Sequence, residues 1–120
     1  MPGILIVEDR EMISNVISDM LRLNGLIVAG FAKDGREALE LYRNSEPDLV
    51  LMDLLLPDMS GLEVSKKILA EDPEAKIIAI TAMTKEELDE ECEEIGLRRL
   101  VRKPFRMGEL MAVIKEVLEE

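Results

Sequence analysis

Short apolar runs alternate with amphipathic stretches along the whole chain. Ile4-Leu5-Ile6-Val7, Leu26-Ile27-Val28-Ala29, Leu49-Val50-Leu51-Met52 and Ile77-Ile78-Ala79-Ile80 are unbroken apolar blocks, and Leu100-Val101 is the core of a shorter fifth. Unbroken rather than alternating runs mark parallel strands covered on both faces. Between them, apolar residues recur at helical spacing. Ile13, Val16, Ile17, Met20 and Leu21 predict a first helix that stops at Asn24-Gly25. Asp34 with Glu37, Ser60 with Glu63 and Thr84 with Glu87 read as capping boxes opening the second, third and fourth helices. The third ends near Asp72-Pro73, and Leu110, Val113, Ile114, Val117 and Leu118 form the buried stripe of a fifth.

Five βα units follow from this pattern. Right-handed crossovers leave an open, doubly wound α/β sheet of five parallel strands as the best solution, with the flavodoxin-like order 2-1-3-4-5. Five units are too few for an eight-fold barrel. At 120 residues, positions 1–120 are expected to form a single domain with no output domain.

Composition narrows the function. A net charge of −11 argues against direct nucleic acid or anionic membrane binding, which needs a basic footprint. Histidine is absent, which removes serine–histidine catalysis and histidine metal sites. No apolar stretch approaches membrane-spanning length, and no secretion signal is visible. The single cysteine, Cys92, forms no internal disulfide and fits a cytoplasmic location.

In an open parallel sheet, ligands bind beyond the carboxyl ends of the strands. Glu8 and Asp9 follow the first run, Asp53 the third, Thr81 the fourth, and Arg102, Lys103 and Pro104 the fifth. Gly30, Phe31 and Ala32 follow the second and carry no chemistry. Singly, each polar residue reads as a turn, cap or surface group. Together they bring three carboxylates, a hydroxyl and an ammonium to one edge. Clustered carboxylates repel unless a cation joins them, and Mg²⁺ or Mn²⁺ suits oxygen ligands. Such a site fits phosphoryl transfer, with a carboxylate accepting the group as an acyl phosphate. Asp53, alone at the end of the central strand, is the best acceptor. Glu8 and Asp9 are better placed to hold metal, and Thr81 and Lys103 to bind phosphoryl oxygens.

The motifs ILIVED at 4–9, DLVLMDLLLPDMSG at 48–61, AITA at 79–82 and VRKPF at 101–105 resemble the receiver domain of two-component response regulators, in particular stand-alone chemotaxis-type (CheY-like) members. The resemblance spans the chain. It implies that Asp53 is the phosphoacceptor and Asp9 a direct Mg²⁺ ligand, with Glu8 acting through water and Leu55 through its main-chain carbonyl. Thr81 would be the switch hydroxyl, Lys103 would lie over the phosphate, and the bond before Pro104 would be cis. The chain would then catalyse its own phosphorylation and dephosphorylation rather than act as a conventional enzyme. Its phosphate would come from a phosphohistidine on a sensor histidine kinase or phosphotransfer protein. Leu100 departs from the aromatic or histidine residue often found at its position. Leu55 and Met83 are apolar where fast-hydrolysing members carry polar groups, which implies slow autodephosphorylation.

Other readings fit less well. A flavin binder needs a hydroxyl- and glycine-rich first loop, and Glu8-Asp9 would repel phosphate there. A P-loop enzyme needs GxxxxGK[ST], which is absent. A haloacid-dehalogenase-type phosphatase needs an acid where Leu55 stands. A receiver-shaped interaction module that never takes phosphate, or a receiver fragment of a larger DNA-binding regulator, remains the alternative. Five of the nine residues Arg98–Arg106 are basic, and the preceding stretch from Thr84 to Ile95 holds seven acids. They read either as solvated faces or as a charged docking face for a downstream protein on the fourth helix, fifth strand and fifth helix. A monomer or weak dimer is expected.

Overall fold

The computed structural model describes residues 1–84, 88 and 95–120. Strands β1 (Gly3–Val7), β2 (Ile27–Ala32), β3 (Leu49–Asp53), β4 (Ile77–Thr81) and β5 (Arg99–Arg102) form one sheet in the order β2-β1-β3-β4-β5. Every strand pair is parallel. Helices α1 (Glu11–Leu23), α2 (Gly35–Ser45) and α3 (Gly61–Glu71) and the C-terminal helix (Met107–Leu118) pack on it. The expected fourth helix with its Thr84–Glu87 box, and Cys92, lie outside the described residues, apart from buried Leu88 and part-buried Ile95.

The unbroken apolar runs are explained by a core on each side. Alternate residues of each strand point to opposite faces. Ile4, Ile6, Leu49, Leu51, Ile78 and Ile80 pack against Ile17 and Leu21 of α1 and Leu110, Ile114 and Val117 of the C-terminal helix. Leu5, Val7, Val50, Met52, Ile77 and Ala79 pack against Ala38 of α2 and Val64 and Ile68 of α3. Each fully buried Ile or Leu contributes roughly 1.5–3 kcal/mol relative to exposure.

Two local readings change. The second strand begins one residue later than its apolar run and continues through Gly30 and Phe31 to Ala32. A register shift against Ile4–Leu5 accommodates the longer edge strand. At α3, the Ser60 hydroxyl accepts from the Leu62 N–H at 3.1 Å, two residues on rather than three. The Asp34 cap of α2 forms as expected, with the Glu37 N–H on Asp34 at 2.8 Å.

Candidate functional site

Four strand ends assemble the site. The Glu8 N–H donates to the Ala32 carbonyl at 2.9 Å, which carries the β1 ladder one residue past its end. Asp53 and Thr81 are the last residues of β3 and β4. The Lys103 N–H donates to the Thr81 carbonyl at 2.8 Å, holding the start of the β5 exit beside β4. The Lys103–Pro104 peptide is cis.

Carboxylate oxygens of Glu8, Asp9 and Asp53 lie within 4.8 Å of one another. Glu8 and Asp53 are buried, whereas Asp9 faces solvent. The Lys103 ammonium stands 3.4 Å from Glu8 Oε1 and 3.3 Å from Asp53 Oδ2. Asp53 Oδ1 accepts the Leu55 N–H at 3.0 Å. Thr81 is fully buried, and its Oγ1 accepts the Met83 N–H at 3.1 Å.

The charge balance at this edge is incomplete. Among the described residues, three carboxylates meet one ammonium, and buried Glu8 Oε2 has no hydrogen-bond partner. A buried acceptor without a donor calls for a missing partner. Burial first, then the neighbouring Asp53 carboxylate, push the Glu8 carboxyl from 4.5 up to about 8, although Lys103 pulls it down. All three features fit a hard divalent cation, which accepts carboxylate oxygens and keeps several waters.

The loop after Asp53 is narrow. Leu55 and Ser60 form an antiparallel bridge, and the Gly61 N–H donates to the Leu54 carbonyl at 2.9 Å. A Cβ at Gly61 would stand 2.2 Å from the Asp53 carbonyl oxygen and 2.7 Å from Leu54 Cα. Only glycine permits this approach, and it brings the start of α3 directly against the end of β3.

Comparison with known proteins decides the family. The sequence profile of the response regulator receiver domain matches residues 4–115. The chain belongs to the receiver domains of two-component response regulators. This receiver is 35% identical to the chemotaxis protein CheY of Thermotoga maritima over 114 residues, 95% of each chain. Its fold superposes on a CheY-like receiver domain protein from Methanospirillum hungatei with a TM-score of 0.93, at 30% identity, covering 99% of this chain and 94% of the other. It also matches the response regulator TrrA of Thermotoga maritima in complex with Mg²⁺ and BeF, with a TM-score of 0.88 at 32% identity, covering 98% and 99% of the two chains.

The candidate residues of this receiver fall in different places. Glu8, Asp9, Asp53 and Lys103 meet directly. Thr81 lies on the neighbouring strand, in register with Arg102. The Leu55 side chain is exposed, and its contact with Asp53 runs through its N–H. Leu100 is half-buried and packs on the same core as Met83 and Leu97. Arg98 and Arg99 pair with Glu120 at 2.9 and 3.2 Å, and Arg99 also with Glu116 at 3.8 Å. They tie β5 to the end of the C-terminal helix.

One residue escaped the sequence reading. Asp58, on the loop between β3 and α3, accepts the Gly35 N–H at 2.7 Å and the Arg36 N–H at 3.1 Å. The signal available was an acid inside the motif loop. Its partners lie more than twenty residues earlier, and no local spacing points to them. Among the described residues, no helix is long and apolar enough to cross a membrane.

Proposed function

We propose that this receiver domain, residues 1–120, is a cytoplasmic phosphoacceptor switch in which Asp53 takes a phosphoryl group from a phosphohistidine of a sensor histidine kinase or phosphotransfer protein. An Asp53 carboxylate oxygen bonds to phosphorus, the P–N bond to the imidazole breaks, and an acyl phosphate results. The observation that carries the reading is the Lys103 ammonium between Asp53 and Glu8, with Asp9 completing the acidic group.

Asp9, Asp53 and the Leu55 carbonyl would hold Mg²⁺ or Mn²⁺ directly, and Glu8 through water. When bound, the cation would neutralise charge on the phosphoryl oxygens, which with positioning is most of the catalysis such transfer needs. Thr81 keeps a hydroxyl proton to donate, because its oxygen accepts rather than gives in the bond from the Met83 N–H. Lys103 pairs with the charge that phosphorylation adds.

The phosphohistidine must approach over the strand ends. Beside Lys103 runs an apolar groove of about 510 Å³ whose lining includes Met12, Ile13, Val16 and Phe105. Met12 is 80% exposed and Val16 47%, so the groove presents a shared apolar surface that suits contact with the phosphodonor protein. Output then passes to a downstream protein through the face around β5 and the helices beside it. Leu55 and Met83 offer an attacking water no hydrogen bond, so the acyl phosphate decays slowly.

The test is the intact mass after incubation with acetyl phosphate and Mg²⁺. Wild type gains one phosphate and Asp53→Asn gains none. An equal adduct in Asp53→Asn, or none in wild type, overturns the assignment.

A further inference from the structure

We propose that Asp58 is a positioning residue for the metal-holding loop, fixing the segment that carries Asp53 and Leu55 by bridging it to the N-terminus of α2. The inference rests on the reading of Asp53 and its neighbours as an Mg²⁺ site.

The hydrogen bonds at the start of α2 can be accounted for one by one. A helix leaves its first four N–H groups without partners inside the helix. Asp34 takes one of them, its carboxylate accepting the Glu37 N–H at 2.8 Å, while its carbonyl accepts the first regular helical bond, from the Ala38 N–H at 3.1 Å. Asp58 takes two more, from Gly35 and Arg36, at 2.7 and 3.1 Å. Asp34 therefore already caps the helix from its own chain segment. Arg36 is exposed, so water could take its N–H, whereas Gly35 is buried and its N–H depends on Asp58.

What Asp58 adds is a fixed place for the loop. Among the described residues, these are the hydrogen bonds that reach the loop tip, residues 56–59, from outside the loop. The donors are rigid backbone at the positive end of a helix, which favours a carboxylate. They hold the Asp58 carboxyl below its usual range, the bond from Gly35 being the largest cause. A second contact points the same way. A Cβ at Gly35 would lie 2.5 Å from Met59 Cγ and 2.8 Å from Met59 Sδ, so the loop tip is seated directly on the first residue of the helix. The base of the loop is pinned at Leu55, Ser60 and Gly61. With the Asp58 bridge lost, the loop keeps that base and the packing of Leu56 and Met59 on the core, but no hydrogen bond from α2 fixes its tip.

The experiment compares Asp58→Ala, Asp58→Asn and Asp34→Ala by calorimetric Mg²⁺ titration of the unphosphorylated protein. Phosphorylation rates with acetyl phosphate are measured across Mg²⁺ concentrations in parallel. Loss of a partner that orients metal ligands typically costs about 10-fold or more in metal affinity. Asp58→Ala should weaken Mg²⁺ by that order and raise the Mg²⁺ needed for half-maximal rate, with the rate at saturating Mg²⁺ unchanged. Asp58→Asn, which keeps one acceptor, should fall between. Asp34→Ala removes a cap from the same helix and should lower the melting temperature while leaving Mg²⁺ affinity alone. Equal Mg²⁺ effects from Asp58→Ala and Asp34→Ala, or none from either, overturn the proposal. If wild type takes up neither Mg²⁺ nor phosphate, the site reading fails and this inference fails with it.

Discussion

The Lys103 ammonium crosses the end of β4 to stand 3.4 Å from Glu8 and 3.3 Å from Asp53, linking residues 95 and 50 positions away in the chain. It offsets part of the repulsion among three carboxylates but leaves two negative charges in excess when all are ionised. Two routes relieve that excess. A proton on Glu8 does so without metal, and a divalent cation does so with it.

The first route makes metal-free stability depend on pH. The Glu8 carboxyl is raised in the fold, from 4.5 to about 8. Below 4.5 both folded and unfolded chains hold the proton and the contribution is fully present. Between 4.5 and about 8 the unfolded chain releases it first, so stability falls as pH rises, and it levels off above. Urea midpoints in chelator from pH 4.5 to 9 should therefore decline in wild type and decline less in Glu8→Gln. Parallel curves would refute the role of Glu8. Mg²⁺ binds the ionised form, so its affinity should climb through the same window.

Asp9 is the exposed member of the acidic group. Asp9→Ala removes one of the repelling charges and a proposed metal ligand together. The metal-free protein should become more stable by about 0.5–1 kcal/mol, the scale of relieved like-charge repulsion at an exposed position, while Mg²⁺ affinity drops. Thermal melts in chelator and a calorimetric titration read the two effects. Unchanged affinity would remove Asp9 from the ligand set.

The lifetime of the phosphorylated form should respond to Leu55, two residues past the proposed acceptor, and Met83, two past Thr81. Positioning the attacking water is a large part of any hydrolysis rate. Leu55→Asn combined with Met83→Glu should speed loss of the phosphate adduct by about an order of magnitude. Mass spectrometry over time follows the decay. An unaltered rate would shift the cause to the surroundings of Thr81 and Lys103.

Glu46 ends α2 in the left-handed region, at φ 45° and ψ 60°, a conformation that side chains other than glycine adopt at a cost. Its N–H still donates to the Tyr42 carbonyl. Glu46→Gly keeps that bond and relieves the strain, so stability should rise by about 0.5–1 kcal/mol with phosphorylation unaltered. Chemical denaturation measures it; a destabilised variant would show that the Glu46 side chain contributes contacts of its own.

The sheet and most of the site were legible because each rests on a short stretch of chain. Ile4–Val7 and Ile77–Ile80 are apolar at every position because both sheet faces are covered, and the residue that ends such a run must emerge at the edge. Glu8, Asp53 and Thr81 could be placed by that rule alone. Asp58 could not, since its partners belong to another helix. Nor could the ties of Arg98 and Arg99 to Glu116 and Glu120, because they depend on how far the last helix runs back along β5. The extension of β2 to Ala32 was hidden by Gly30, which reads as a turn but enters the edge strand at a register shift.

Gly61 has no functional group, yet a single methyl there would press on the carbonyl of Asp53, the proposed phosphoacceptor. A survey of all substitutions, scored by phosphate uptake, should rank this position alongside Asp53 itself. Scored by surface properties or by charge, it should look inert. Sensitivity to mutation at this edge thus reports clearance as much as reactivity, and the tolerance of the domain to change is set partly by a place where nothing protrudes.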